Sequence, residues 1–233
     1  IHGGGPDLLF PHHENEIAQS ECSSDHKFAN YWMHSGLLKI NGEKMSKSLG
    51  NFAMLKDLFT SYHPEVIRYY LISSHYRSSL NFDNESLDQA RSALTRLYQA
   101  VSLAPSKESD FHDDSVKEFI DSMNDDLNTP EALSILFRLA KSINSCQDTH
   151  DQMMYASTMR ELGKVLGLLN DSPEAFFQYG ANLTDEEIGK KIEERNQARD
   201  AKDFQKADQI RDELAAQGIL LDDSSDGTTW KKS

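Results

Sequence analysis

Residues suited to two kinds of chemistry lie between Ile1 and Ser48. Gly3-Gly4-Gly5 comes directly after an apolar strand end, and a backbone without Cβ atoms can approach a nucleotide closely. If a helix starts near Pro11, His12 and Glu16 fall four residues apart on one face. That spacing can hand one nitrogen and one oxygen to a metal ion. Lys44-Met45-Ser46-Lys47-Ser48 then sets two ammonium groups three residues apart in a loop. Fixed cations there suit a polyphosphate, because they stabilise charge developing on a transferring phosphoryl group. Taken singly, each has a commoner meaning: a GGG is a turn, a His-xxx-Glu pair is solvated, and loop lysines are surface. Their order and spacing together are much harder to dismiss.

The chain that must position these groups has 233 residues, 27% of them charged, with mean hydropathy −0.62. That is room for one large domain or two to three small ones. The hydropathy marks a soluble chain; no apolar run approaches membrane-spanning length and no signal peptide is read, so a cytoplasmic protein is expected. Cys22 and Cys146 form no disulfide framework and fit a reducing compartment. A net charge of −14 argues against broad nucleic-acid binding. It leaves room for a local, salt-sensitive contact where Lys and Arg gather.

From Phe52 to Phe82 the pattern is helical, with Leu55, Leu58 and Phe59 on one stripe and Pro64 opening a helix that carries Val66, Ile67, Tyr70 and Leu71. Arg77 is read either as an RNA contact or as the partner of a carboxylate. From Asp83 to Asn170 a helical bundle is expected. Asn84, a capping box at Ser115–Glu118, and Thr129 before Pro130 mark its helix starts. The apolar stripes Leu87, Ala90, Leu94, Leu97, Val101; Phe119, Ile120, Met123; Leu133, Leu136, Phe137, Ala140, Ile143; and Leu162, Val165, Leu166, Leu169 are its core. Asp171–Gly180 reads as a linker. A capping box at Thr184–Glu187 opens another helix, Phe204–Gln217 forms a further one closed by Gly218, and Ile219–Leu221 with Thr228–Trp230 makes a hairpin.

HGGGPDLLFPHHENEIAQSE followed by KMSKSLGN resembles the bacterial cysteinyl-tRNA synthetases, class I aminoacyl-tRNA synthetases. The resemblance continues through HYRSSLNF and DDLNTPEAL to the terminal GTTWKKS. It implies an α/β remnant of a Rossmann-type catalytic domain, then a mainly α-helical bundle and a small α+β C-terminal module. The expected boundaries are 1–51 for the catalytic part, 52–82 for a connective segment near the inside of the tRNA, 83–170 for an anticodon-binding bundle and 171–233 for an anticodon-recognition module. His2, Gly3, Gly4 and Asp7 would face the adenylate, with Asp7 on the ribose, and Lys44 and Lys47 would hold ATP phosphates. His12 and Glu16 match the family's zinc ligands; His13, three residues before Glu16, has its own claim. Two further cysteine ligands, and the family's HIGH-type nucleotide sequence, would lie upstream of Ile1, so the chain reads as the C-terminal half of the enzyme and is expected to be inactive alone.

A zinc ion makes chemical sense for this substrate, since a soft thiolate coordinates it far better than a hydroxyl does. Implied partners are tRNA-Cys, L-cysteine and ATP with Mg²⁺, without a membrane and with a monomeric subunit. In the C-terminal module the resemblance singles out Arg199, Phe204, Asp208, Asp223 and Trp230 for reading unstacked bases by stacking and edge hydrogen bonds. Without it, Arg199 and Asp208 read as a surface ion pair, and Phe204 and Trp230 as a mini-core. Two other functions fit parts of the pattern. One is a cysteine ligase acting on an amino-sugar, as in mycothiol synthesis, against which the tail Asp171–Ser233 argues. The other is a non-catalytic tRNA-binding protein derived from a synthetase.

Overall fold

The computed structural model describes residues 1–40, 42–44, 54–104, 110–181, 183–224 and 227–232. The chain forms two compact units, one of Ile1–Leu55 with Pro64–Asn170 and one of Lys56–His63 with Asp171–Ser233.

The first unit opens with strand β1 (His2–Gly4), a 3-10 turn at Pro6–Leu8, a π-type turn at Leu9–His13, and helix α1 (Glu14–Ser24). Strand β2 (Trp32–His34) runs parallel to β1, with His2 opposite Trp32 and Gly4 opposite His34. Gly3 and Gly4 therefore lie within a strand, where a glycine-rich turn following one was expected. Packing explains this: a Cβ on Gly3 would sit 3.1 Å from the Met33 carbonyl oxygen, and one on Gly4 2.8 Å from Leu8 Cδ1.

A second sheet follows from β3 (Leu38–Ile40) and β4 (Glu43–Lys44), an antiparallel pair turned at Gly42, whose φ is +83°. Strand β5 (Leu80–Phe82) joins β3 in parallel, giving the order β4-β3-β5. The segment expected to be helical up to Phe82 therefore ends in a strand. Gly36 makes that join possible, because a Cβ there would fall on the Ser78 carbonyl.

After α2 (Leu55–Leu58), which falls mainly in the second unit, comes α3 (Pro64–Ile72). The bundle helices are α4 (Asn84–Ser102), α5 (Asp113–Asn124), α6 (Thr129–Ser145) and α7 (Thr149–Val165). Leu87, Leu94 and Leu97 of α4, Ile135, Leu136 and Ile143 of α6, and Met159 of α7 are almost completely buried. Each such side chain contributes about 2 kcal/mol of burial. Three helix starts lie before the expected cap. Asp83 caps α4, His112 caps α5 and Asn128 caps α6, each accepting a backbone N–H in the first turn. Buried Glu65 in α3 ties the bundle's end together: its carboxylate accepts from Tyr98 Oη, the backbone N–H groups of Leu169 and Asn170, and Asn170 Nδ2.

The second unit contains α8 (Pro173–Gln178), α9 (Asp185–Asp200), α10 (Phe204–Ala216) and the hairpin β6 (Ile219–Ser224) with β7 (Gly227–Lys232). The stretch read as a linker thus holds a helix, capped by Ser172 with Pro173 in its first turn. Helix α9 starts at the expected capping box of Thr184 and Glu187. Ile188, Ile210, Leu214 and Ile219 form the core, and Trp230 packs against it. His63 is buried between Phe176 and Tyr179 and bonds Asp171 at 2.9 Å.

Candidate functional site

In the first unit, the parallel pairing of β1 and β2 puts His2, Gly4, Trp32 and His34 on one side, because side chains alternate along a strand. The start of α1 brings His13 and Glu16 to the same place. His2 Nε2 lies 2.8 Å from Glu16 Oε2, and His13 Nδ1 lies 3.0 Å from His34 Nε2. The His2 and His13 rings meet edge to face at 4.9 Å, with Trp32 at 5.0 Å from His2 and 5.2 Å from His13, and Phe28 at 4.9 Å from His2. Gly4 leaves room for this cluster, since a Cβ would come 3.2 Å from His13 Nε2.

Ligand atoms of His2, His13 and Glu16 lie within 4.8 Å of one another. Two imidazoles and a carboxylate are an ordinary donor set for zinc, so the residues present fit such an ion. His12, singled out from the sequence, is exposed and is not one of these three. His13 is 4% exposed. The difference follows from the start of the helix. The π-type turn ends at His13 and α1 begins at Glu14, so the two adjacent histidines face different ways. Asp7 is exposed, and a Cβ on Gly5 would lie 2.5 Å from its Oδ1. Of Lys44 only the backbone, in β4, is described, and Lys47 lies outside the described residues.

In the second unit, Asp223 of β6 is the centre. Its Oδ1 accepts from Arg195 Nη1 at 2.9 Å and Thr228 Oγ1 at 2.7 Å. Its Oδ2 accepts from Arg195 Nη2 at 2.7 Å and Arg199 Nη1 at 3.1 Å. The paired guanidinium of Arg195, helped by the Thr228 hydroxyl, holds this carboxyl far below the usual carboxylate range. Four donors occupy both oxygens, so the expected acceptance of base protons by Asp223 has no open lone pair in this arrangement. Arg199 pairs with Asp223, not with Asp208, which is exposed. Phe204 stands 63% exposed and, with Asn196, Arg199 and Asp200, lines an open hollow where α9 passes into α10. Trp230 is partly buried on the core.

Three family models match the chain. Residues 1–92 match the class I (C) tRNA synthetase catalytic domain, 118–170 the DALR domain, and 185–230 the cysteinyl-tRNA ligase anticodon binding domain. The cysteine–tRNA ligase of Azotobacter vinelandii (strain DJ / ATCC BAA-1303) is 50% identical over 235 residues, covering 99% of this chain and 51% of that protein. That of Marinobacter nauticus (strain ATCC 700491 / DSM 11845 / VT8) is 50% identical over 100% of this chain and 52% of its own length. The Escherichia coli (strain SMS-3-5 / SECEC) ligase is 49% identical over the same shares.

The chain belongs to the cysteine–tRNA ligase family.

It spans about half the length of the curated relatives it matches. A solved structure, the ternary complex of Agrobacterium radiobacter K84 agnB2 LeuRS with tRNA and LeuAMS, shares the fold over 75% of this chain and 26% of its own, with TM-score 0.52 and 16% identity. Two site elements of this cysteine–tRNA ligase family member escaped the sequence reading. His34, two strand positions from Trp32, becomes visible as part of the histidine cluster only once β1 and β2 are paired. Arg195 gave a signal, a basic residue four before Arg199 on α9, but its burial depends on the hairpin folding over it.

Proposed function

We propose that this chain is part of an ATP-dependent cysteine–tRNA ligase. The observation that carries the reading is about 50% identity to cysteine–tRNA ligases along essentially the whole chain, catalytic and anticodon-binding matches included. In this reading the cysteine carboxylate attacks the α-phosphorus of ATP and pyrophosphate leaves. The terminal hydroxyl of tRNA-Cys then attacks the adenylate carbonyl and AMP departs. Lys44 and Lys47 supply the positive charge for the first step, which depends on positioning and electrostatic stabilisation. His2, Gly3 and Gly4 form the strand end that receives the adenylate, and Asp7 meets the ribose. That placement accords with ligand binding at the carboxyl ends of strands in open α/β sheets. The α/β part is the remnant of a Rossmann-type domain, with boundaries near residues 51, 82 and 170, acting as a monomer in the cytoplasm. Among the described residues no helix is long and apolar enough to cross a membrane.

Zinc, when bound, supplies a soft Lewis acid that distinguishes a thiolate from a hydroxyl. Glu16 and His12 would hold it with ligands from outside this chain. Exposure of both leaves their outer faces open, while His13 is buried and bonded to His34. His2 would hold the Glu16 carboxylate in orientation, as a ligand's hydrogen-bond partner does. A second reading takes His2, His13 and Glu16 as the donors, favoured by their mutual approach within 4.8 Å. In the second unit, Phe204 and Arg199 would meet an unstacked base, with Asp208 accepting from its edge, Asp223 fixing the guanidinium groups and Trp230 supporting the hairpin.

The test is a set of substitutions in the complete enzyme. Lys47→Ala should slow cysteine-dependent ATP–pyrophosphate exchange about a hundredfold or more, with little change in cysteine binding. His12→Ala should abolish zinc retention while His13→Ala keeps it. The opposite pair of results selects the second donor set, and zinc retained by both variants and by Glu16→Ala removes the metal reading. Lack of exchange in the unsubstituted complete enzyme would overturn the ligase assignment.

A further inference from the structure

We infer that Asn81 is a positioning residue for β4, the strand that carries Lys44, and that it works as a pair with Asp83. The inference rests on the reading of the Lys44–Ser48 motif as the ATP-phosphate clasp. Asn81 lies in the middle of β5, and its side chain reaches past the end of β3. Its Oδ1 accepts the Gly42 N–H at 2.7 Å, and its Nδ2 donates to Asp83 Oδ2 at 2.8 Å. The other Asp83 oxygen accepts the Ser86 N–H at 2.7 Å and so caps α4. One unbroken hydrogen-bonded chain thus runs from the first turn of the bundle helix to the turn residue from which β4 departs.

Little else in the described fold fixes that departure. β4 is two residues long, its sheet neighbour is β3 alone, and the register is Lys39 with Lys44 and Ile40 with Glu43. Gly42 stands at φ +83°, with nothing within 4 Å of where a Cβ would be. The space beside Gly42 is open, and among the described residues its N–H bond to Asn81 ties the turn to β5. The segment around Asn81 is itself anchored. Gly36 N–H donates to the Tyr76 carbonyl at 2.7 Å, Leu80 N–H to the Leu37 carbonyl at 3.0 Å, and Arg77 and Tyr76 both bond the Asp126 carboxylate. Asn81 therefore projects from an anchored segment toward the turn at Gly42.

The donor and acceptor polarity of the pair supplies the test. Asn81→Asp sets two carboxylates against each other. Asp83→Asn either opposes two amide donors or flips Asn81 and takes the acceptor away from Gly42. The double variant Asn81→Asp/Asp83→Asn restores every bond: the introduced carboxylate accepts from Gly42 N–H and from the introduced amide, whose oxygen still caps Ser86. In the complete ligase, each single variant should speed hydrogen exchange at the Gly42 amide about tenfold. Each should also lower kcat, or raise the ATP KM, in pyrophosphate exchange by a similar factor, leaving the cysteine KM unchanged. The double variant should return both readouts to within about threefold of the parent. Singles with unaltered Gly42 exchange, or a double no better than the worse single, would overturn the bridge. Rescue at the amide without any kinetic change would overturn the positioning role. A parent enzyme with no pyrophosphate exchange would instead overturn the ligase reading, the bridge then being judged by the Gly42 amide alone.

Discussion

Replacing Asp223 with Asn should unlock the hairpin of the second unit. The carboxylate takes three guanidinium N–H groups and one hydroxyl, and the Arg195 side chain beneath it is 7% exposed. Hydrogen bonds to a charged group contribute roughly 1.5–3 kcal/mol each, net of exchange with water, where they are well buried. Asp223 itself is 40% exposed, so water recovers much of that. The remaining loss is about 2 kcal/mol, most of it from leaving a buried guanidinium half-paired. For a unit of this size such a loss lowers Tm by about 10 °C. The measurement is thermal unfolding read by amide exchange of residues 219–232, with Asp222→Asn as the exposed control. A double-mutant cycle with Arg195→Ala should show coupling of about 2 kcal/mol. The pH dependence has a fixed sign. Because the folded carboxyl titrates below its unfolded value, its stabilisation is complete above about pH 4 and is lost as pH falls further. The Tm gap between parent and variant should hold from neutral pH down to about 5 and narrow below 4. A gap equal to that of the Asp222 control, additive single effects, or a gap that widens on acidification would each refute the argument.

Glu65→Gln should destabilise the first unit by about 2–3 kcal/mol, because an amide NH₂ would face donors from Tyr98 or Leu169 and Asn170 in a buried site; chemical denaturation would measure it. Tyr70→Phe should be neutral or slightly stabilising, within about 1 kcal/mol, since the buried Tyr70 hydroxyl has no hydrogen-bond partner among the described residues. Asp126→Asn should loosen the Tyr76–Arg77 segment, seen as faster amide exchange at residues 75–78. Arg77 and then Tyr76 lower the Asp126 carboxyl to about 2, so the difference from the parent should persist at neutral pH and vanish as pH falls from about 4 toward 2.

What the sequence made legible was governed by local rules. The stripes of α4 and α6 and the capping box of α9 came through because they need only a 3.6-residue period or a three-residue spacing. Where local signals competed, the neighbour one residue away won. Asp83 caps ahead of Asn84, and Asn128 ahead of Thr129, whose hydroxyl goes instead to the Ile72 carbonyl. Val165, counted with Leu162 and Leu166, is 68% exposed because α7 ends at that residue. Partners distant in sequence were not legible. The β3–β5 pairing and the Arg77–Asp126 bond close across dozens of residues, and their register follows from packing, not from any motif. At the N-terminal cluster the spacing of His12 and Glu16 was readable, whereas the facing of His2, His13 and His34 depends on a strand pairing and an irregular turn.

On the proposed reading, the C-terminal module would let an acidic chain recognise RNA. Five of its cations bond internally: Arg195 and Arg199 to Asp223, Lys191 to Glu213, Lys190 to Glu186, and Lys232 to the Gly180 carbonyl. The ion-paired ones project less positive field beyond the surface, and the net charge of −14 opposes any diffuse attraction of phosphate. On the proposed reading, affinity for an anticodon then arises from short-range contacts at the Phe204 hollow, through a stacking face beside a guanidinium whose direction Asp223 sets. Such a contact would discriminate by shape and hydrogen-bond geometry, and with few counterions released its dependence on salt should be shallower than the salt-sensitive contact expected from the sequence. On that reading specificity in this module would be bound to its stability: the carboxylate that locks the hairpin is the one that holds Arg199.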